Sequence, residues 1–208
     1  MIDKLFFISG YVFSLFGGSI LTSYAICIFT NTPFFNPKSS SEEIVTILQD
    51  SATNLFILGA EVIVSALFYH SYLDVLKHSF FQTCTNIICY SLCIELFYYG
   101  YHRLLHTSPL YLLVHEQHHK NRNVYPIDTI NISWIDSTGM LITLTAPLLF
   151  VKVNLIEYNI IIYIYLTGAF LTHSRLFVKK HAIHHERFKC NYCFLFPVFD
   201  YVFRTLET

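Results

Sequence analysis

The stretch SFFQTCTNIICYSLCIELFYYGYHRLLH, Ser79 to His106, decides how the chain is read. From Ser79 to Tyr101 its only charge is Glu95. At about 1.5 Å of rise per residue this is enough helix to cross a hydrocarbon core of roughly 30 Å. The stretch then runs, with no proline, into His102 and His106, which are four apart and therefore share a helical face. A membrane span that ends in paired imidazoles places them at the membrane boundary.

Composition extends this reading outward. Of 208 residues 54% are hydrophobic and 13% charged, and the mean hydropathy is +0.48, which argues against a water-soluble globular enzyme. The length suits one unit of four to five membrane passes. A net charge of −1 gives no support to nucleic-acid binding. The six cysteines have no repeated spacing, and Cys84, Cys89 and Cys93 share one apolar segment, so they read as reduced thiols. Cys190 and Cys193 form one CxxC without a second pair, which is a weak zinc signal.

Leu5 to Phe29 is twenty-five residues without a charge. It reads as a retained anchor, because a signal peptide has a shorter apolar region and a small-residue cleavage site. Asn31 to Asp50, with Pro33, Pro37 and Ser39 to Glu43, is a turn followed by a helix start, so a second span should run from Ile44 to about Tyr72 and contain Glu61. Acids as deep as Glu61 and Glu95 call for a partner or a watery cavity. Ser137–Val151 and Tyr158–Ser174 flank Lys152, Asn154 and Glu157 and read as a helical hairpin. Nine of the thirteen basic residues (Arg103, Lys120, Arg122, Arg175, Lys179, Lys180, Arg187, Lys189 and Arg204) lie in the remaining polar stretches, which the positive-inside rule assigns to the cytoplasm. The expected fold is all-α: a multi-pass transmembrane helix bundle with a cytoplasmic, histidine-rich helical cap. Residues 1–78 carry no motif, and residues 79–208 form the catalytic part.

Nine of the eleven histidines fall in three clusters and one outlier: His102 and His106; His115, His118 and His119; His181, His184 and His185; and His173. Spacings of three and four aim imidazoles together, a pattern suited to chelation. Imidazole suits zinc, copper, iron and nickel, and a carboxylate-poor set argues against magnesium and calcium. Eight or nine rings exceed one tetrahedral site and fit two metals at four or five ligands each. His70 and His78 have no partner cluster and read as structural or interfacial.

The order HxxxH, HxxHH, HxxHH resembles the fatty acid hydroxylase/sterol desaturase superfamily of integral membrane di-iron enzymes. The resemblance extends to an acid seven residues before the first box (Glu95), an acid seventeen after the second (Asp136), a histidine ahead of the third (His173), and Asn191-Tyr192-Cys193 with Phe199-Asp200 after it. It covers roughly Ser79 to Thr208. Cys193 and Arg204 stand where the family has glycines, Phe199 where it has tryptophan, and Ser133 where several sterol desaturases have a further histidine. The neighbourhoods of Ser133 and Cys190 look most like sterol side-chain hydroxylases and methylsterol oxidases.

The resemblance implies oxidation of an unactivated C–H bond of a lipid, fatty acyl or sterol substrate by two irons and O2, giving hydroxylation or desaturation. It implies His102, His106, His115, His118, His119, His181, His184 and His185 as iron ligands, with His173 a ninth. Glu95 would accept a hydrogen bond from a ligand ring, or else pair with Arg103 or serve as a buried cap. Asp136 and Asp200 would orient ligands or act as caps and braces. No flavin, nicotinamide or haem motif is present, so two electrons per turnover would come from outside; the superfamily implies cytochrome b5 and its reductase, and an endoplasmic reticulum membrane. The competing class is a membrane protein that stores or moves metal with the same histidines, which would call for more polar residues along the spans.

Overall fold

The long helices begin where the sequence supplies a cap. The structure, a computed structural model, describes residues 2–174, 176 and 179–208; Arg175, one of the basic residues counted above, lies outside them. Helix α1 (Ile2–Phe29) is followed by a linker and by α2 (Ser41–Tyr69), whose entry is a reciprocal cap: the Glu43 N–H donates to Ser40 Oγ and the Ser40 N–H to Glu43 Oε2. Ser79 caps α3 (Phe80–Leu105), Ser133 caps α4 (Trp134–Thr145), and Asn154 caps α5 (Leu155–Thr172). Two short helices, α6 (Lys179–Arg187) and α7 (Val198–Val202), complete the chain.

Helices α1 and α5 run side by side in the same direction, since Thr22 meets Tyr163, Ser23 meets Thr167 and Phe34 meets Phe170. Helix α2 returns toward the opposite end, where Tyr69 and Tyr72 join the main core of Tyr90, Ile94, Leu148, Val153, Ile161 and Tyr165. Helix α3 comes back and delivers His102 and His106, and α4 leaves again. The histidine boxes thus gather at one end as a cap, while residues 70–79 and 150–157 form the far end. Large apolar side chains such as Phe13, Leu21, Val64, Phe80, Phe81 and Ile88 stay exposed along the outside, which suits contact with lipid.

Gly10–Phe29, Phe80–Leu105 and Leu155–Thr172 are long and apolar enough to cross a membrane, and they fit an integral membrane protein. They account for three of the expected four to five passes among the described residues. In α2 the apolar run Phe56–Tyr72 is described, and the expected start of this span at Ile44 reaches it across residues 50, 51, 54 and 55, whose side chains lie outside the description. The expected hairpin is revised. Helix α4 stops at Thr145 and tightens into a turn, Ala146–Leu149, around Pro147, whose ring cannot continue the helical hydrogen bonding. Its main neighbours are α2 and α3, while α5 packs chiefly on α1. Glu61 finds the Thr138 hydroxyl of α4 at 2.6 Å. The six cysteines are unpaired.

Candidate metal centre

His102 lies in the last turn of α3 and His106 caps its end. The second box sits on a wide turn, Tyr111–His115, followed by a tight one, His118–Lys120; the third box is on α6. The nine rings form two groups. His102, His106, His115, His119 and His184 make one; His118, His173, His181 and His185 make the other, and within each group the ligating atoms lie within 4.8 Å of one another. The two HxxHH boxes exchange their middle members: His118 leaves His115 and His119 to join the third box, and His184 crosses the other way. This reciprocal swap corrects the expectation that each box aims at one point.

Outer partners fix which nitrogen faces inward. The Nδ1–H of His102 donates to the Tyr192 carbonyl at 2.9 Å, that of His184 to the Cys190 carbonyl at 2.6 Å, that of His173 to the Ala169 carbonyl at 2.8 Å, and that of His115 to Asp136 Oδ2 at 2.6 Å. These oxygens only accept, so each neutral ring carries its proton on Nδ1 and a bare lone pair on Nε2. Yet the Nε2 atoms of His102 and His115 are 3.1 Å apart, and His119 Nε2 stands 3.1 Å from those of both His115 and His184. In the second group the contacts are 3.3 Å for His173 with His118, 3.2 Å for His173 with His181 and 3.2 Å for His181 with His185. Between His102 and His115, whose tautomers are both fixed, two lone pairs face each other and repel. Nitrogens about 2.1 Å from one cation, at about 90 to 110° to each other, are about 3.0 to 3.4 Å apart, so the spacing is that of ligands sharing an ion. The donor set fits two metals.

Protons are poor substitutes for those cations. Burial, with His115 adding to it, pushes His106 down to about 3, and burial takes His173 down to about 4. Burial first, then neighbouring imidazoles, holds His118, His119, His181, His184 and His185 below the ordinary histidine range.

The three acids have different places. Asp136 touches a histidine directly and also accepts from the Tyr101 hydroxyl at 2.9 Å. Glu95 touches none: it accepts the N–H groups of Phe194, Leu195 and Phe196 at 2.8, 2.9 and 3.0 Å and the Tyr165 hydroxyl at 2.9 Å. Arg103 turns instead to the Tyr99 hydroxyl. Asp200 accepts from the Tyr192 and Cys193 N–H groups at 2.7 and 2.8 Å. Arg204, where the resemblance expects glycine, has φ 58°, a left-handed conformation that glycine adopts freely. Ser133 caps α4 and donates to the Val114 carbonyl, holding the second box to that helix. Sequence reasoning missed the carbonyl partners, because a backbone acceptor leaves no mark on residue type. Tyr101, directly before the first box, carried the only such signal in a side chain.

With this geometry in view, the comparison with known proteins is decisive: residues 87–205 match the fatty acid hydroxylase model. The chain belongs to the fatty acid hydroxylase family. Curated relatives are more distant. Protein CER1-like 2 of Arabidopsis thaliana is 25% identical over 140 residues, very-long-chain aldehyde decarbonylase CER1 of the same plant is 26% identical over 137, and very-long-chain aldehyde decarbonylase GL1-6 of Oryza sativa subsp. indica is 23% identical over 140. Each match takes in 55% of this chain and 22% of the relative's length. No solved structure matches. Within this family member the two histidine groups are the part suited to metal.

Proposed function

We propose that the chain is a membrane-bound, non-haem di-iron oxygenase that uses O2 to hydroxylate or desaturate a C–H bond of a long-chain lipid. The observation that carries this reading is the convergence of imidazole nitrogens in two adjoining groups of five and four histidines, four of whose rings (His102, His115, His173 and His184) have an Nε2 lone pair fixed by Nδ1 donation to an accept-only oxygen. Bound iron would supply O2 activation and the oxidation of the substrate C–H bond. The chain's own residues supply position and dryness. His102, His106, His115, His119 and His184 would hold one ion, and His118, His173, His181 and His185 the other. The carbonyls of Tyr192, Cys190 and Ala169 and the carboxylate of Asp136 lock the ring orientations before any metal arrives.

A cavity of about 650 Å³ reaches His119 from outside. Tyr111, Leu112, Leu113 and Phe188 line its apolar side and Glu116, Gln117, Lys120 and Arg122 its polar side, a lining suited to a long chain with a polar end. Leu112 and Leu113 are exposed, so this mouth can draw its ligand from lipid. The basic residues Lys120, Arg122, Lys179, Lys180 and Lys189 would steer an acidic electron donor such as cytochrome b5 with its reductase; on this reading the cap would face the cytoplasm and the chain would lie in an endoplasmic reticulum membrane. The names of the decarbonylase relatives favour a second reading, in which the same centre acts on the carbonyl end of a long-chain aldehyde.

Metal analysis of detergent-purified protein, beside lipid profiles of cells expressing wild type and His118→Ala, tests the proposal. About two irons per chain, and a hydroxylated or unsaturated lipid that vanishes in the variant, support it. A new shortened hydrocarbon selects the second reading. Zinc alone with an unchanged lipid profile rejects both in favour of metal storage.

A further inference from the structure

Five consecutive backbone N–H groups, from Tyr192 to Phe196, end on two buried carboxylates: Asp200 takes the first two and Glu95 the next three. Only one peptide of this strap meets a histidine. The peptide joining Tyr192 to Cys193 accepts the His102 Nδ1–H through its oxygen at 2.9 Å and donates its N–H to Asp200 Oδ2 at 2.8 Å. His102 is fully buried, and Asp200, Tyr192 and Cys193 are nearly so, so the charge of Asp200 acts with little screening.

We propose that Asp200 is a positioning residue for His102, acting through this single peptide group; the proposal rests on the metal reading above. Both hydrogen bonds polarise the peptide in the same sense. The carboxylate draws on the N–H, the carbonyl oxygen becomes a stronger acceptor, and the ring whose Nδ1–H it binds becomes a stronger donor at Nε2. His115 shows the same device without the intermediary, since Asp136 takes its Nδ1–H directly at 2.6 Å. The two rings whose Nε2 atoms face each other at 3.1 Å are therefore each backed by a carboxylate, one in contact and one relayed. Asp200 reaches this position because α7 presents it beneath the strap while its Oδ1 is held by the Thr205 hydroxyl at 2.8 Å. Glu95 holds the same strap but has no bond to the peptide that meets His102, which makes it the natural control.

The relay predicts signs that a brace does not. Full-length wild type, Asp200→Asn, Thr205→Val and Glu95→Gln would be purified in detergent, loaded with ferrous iron, and measured for midpoint potential and for iron retention against a chelator. Asp200→Asn should raise the potential and loosen one of the two irons by about tenfold or more. Thr205→Val removes a donor that draws on Asp200 and leaves the carboxylate in place, so the potential should move the opposite way. Glu95→Gln should leave the potential where it was. Shifts of one sign in all three variants, or an unchanged Asp200→Asn in a wild type that holds two irons, overturn the relay alone. A wild type that retains no metal overturns the metal reading and the relay with it. Should Asp200→Asn fail to fold, the sign of Thr205→Val still decides.

Discussion

Buried histidine occurs at both ends of this bundle, in opposite company. At the far end His78 is closed in by acids: its Nδ1 meets both oxygens of Glu157 at 2.9 Å and its Nε2 meets Asp74 at 3.3 Å. The Thr83 hydroxyl, the Asn86 side-chain amide and the Asn154 N–H complete the shell around Glu157. At the cap, nine rings crowd together with one carboxylate, Asp136, in direct contact. The bond from Glu157 raises His78 above the ordinary histidine range, whereas burial lowers the cap rings outside the spans. A histidine among carboxylates is a charged and finished clasp between the α2–α3 and α4–α5 connections. A histidine among histidines offers ring nitrogens suited to a shared metal ion.

The largest effects should separate the ends outright. His184→Ala removes a ligand from the five-histidine group, and its iron should be held more than about 100-fold less tightly, with lipid oxidation lost. His78→Gln, which touches only the clasp, should keep its full metal content. Metal analysis of both variants would break the comparison if they lost iron alike. Chelation of wild type is the companion test: an ion present at about 1,000 times its dissociation constant stabilises by about 4 kcal/mol, so stripping it should lower Tm, by the same amount in wild type and His78→Gln.

How legible this was follows from the kind of residue involved. The boxes, the apolar spans and the caps at Ser40, Ser79 and Asn154 are matters of residue type and spacing, which a sequence displays. The exchange of His118 and His184 between groups was not legible, because it depends on how two turns and α6 face one another across more than sixty residues. Glu95 misled for a related reason. Its spacing to His102 suggested a contact along one helix, but the loop after Cys193 folds back over α3 and offers three N–H groups nearer than any ring. The clasp at His78 was invisible too, since its partners lie four residues away at Asp74 and seventy-nine away at Glu157.

Acid and base should then act on the two ends with opposite sign. His78 has a folded pKa above its unfolded value of about 6.5, so its contribution is complete below that value and is lost as pH rises through the raised one. Asp74, lowered by the Leu76 N–H, by His78 and by Lys152, sets the acid edge: its share is present above about 3.8 and is lost as pH falls through the lower folded value. In the metal-free protein the cap behaves inversely. Rings such as His106 and His173, held near 3 and 4, resist protons that the unfolded chain takes up, so stability falls as pH drops below about 6.5, each ring adding up to about 1.4 kcal/mol per pH unit. Thermal unfolding against pH should lose its alkaline limb in Glu157→Gln and keep its acid limb. Loss of both limbs in that variant would mean the ends are not independent.

The smallest effects sharpen the comparison within the cap itself, at the one place where it resembles the far end, the Asp136 contact. Helix α4 brings Gly139 so close to α3 that an added Cβ would overlap the Tyr101 ring. Alanine there gains about 1 kcal/mol of helix propensity, but Gly139→Ala should still destabilise by about 1 to 3 kcal/mol, and the displaced ring should disturb Asp136 enough to cost iron. Tyr101→Phe is the finer probe. It keeps the ring and removes only the hydroxyl that donates to Asp136 Oδ1, a loss of about 1 kcal/mol of stability. With that donor gone Asp136 binds the His115 proton more strongly, His115 becomes the better donor at Nε2, and the midpoint potential should fall slightly with iron retained. A Tyr101→Phe protein that instead loses iron, as Gly139→Ala should, would mean that the position of Asp136 governs the cap and its charge does not.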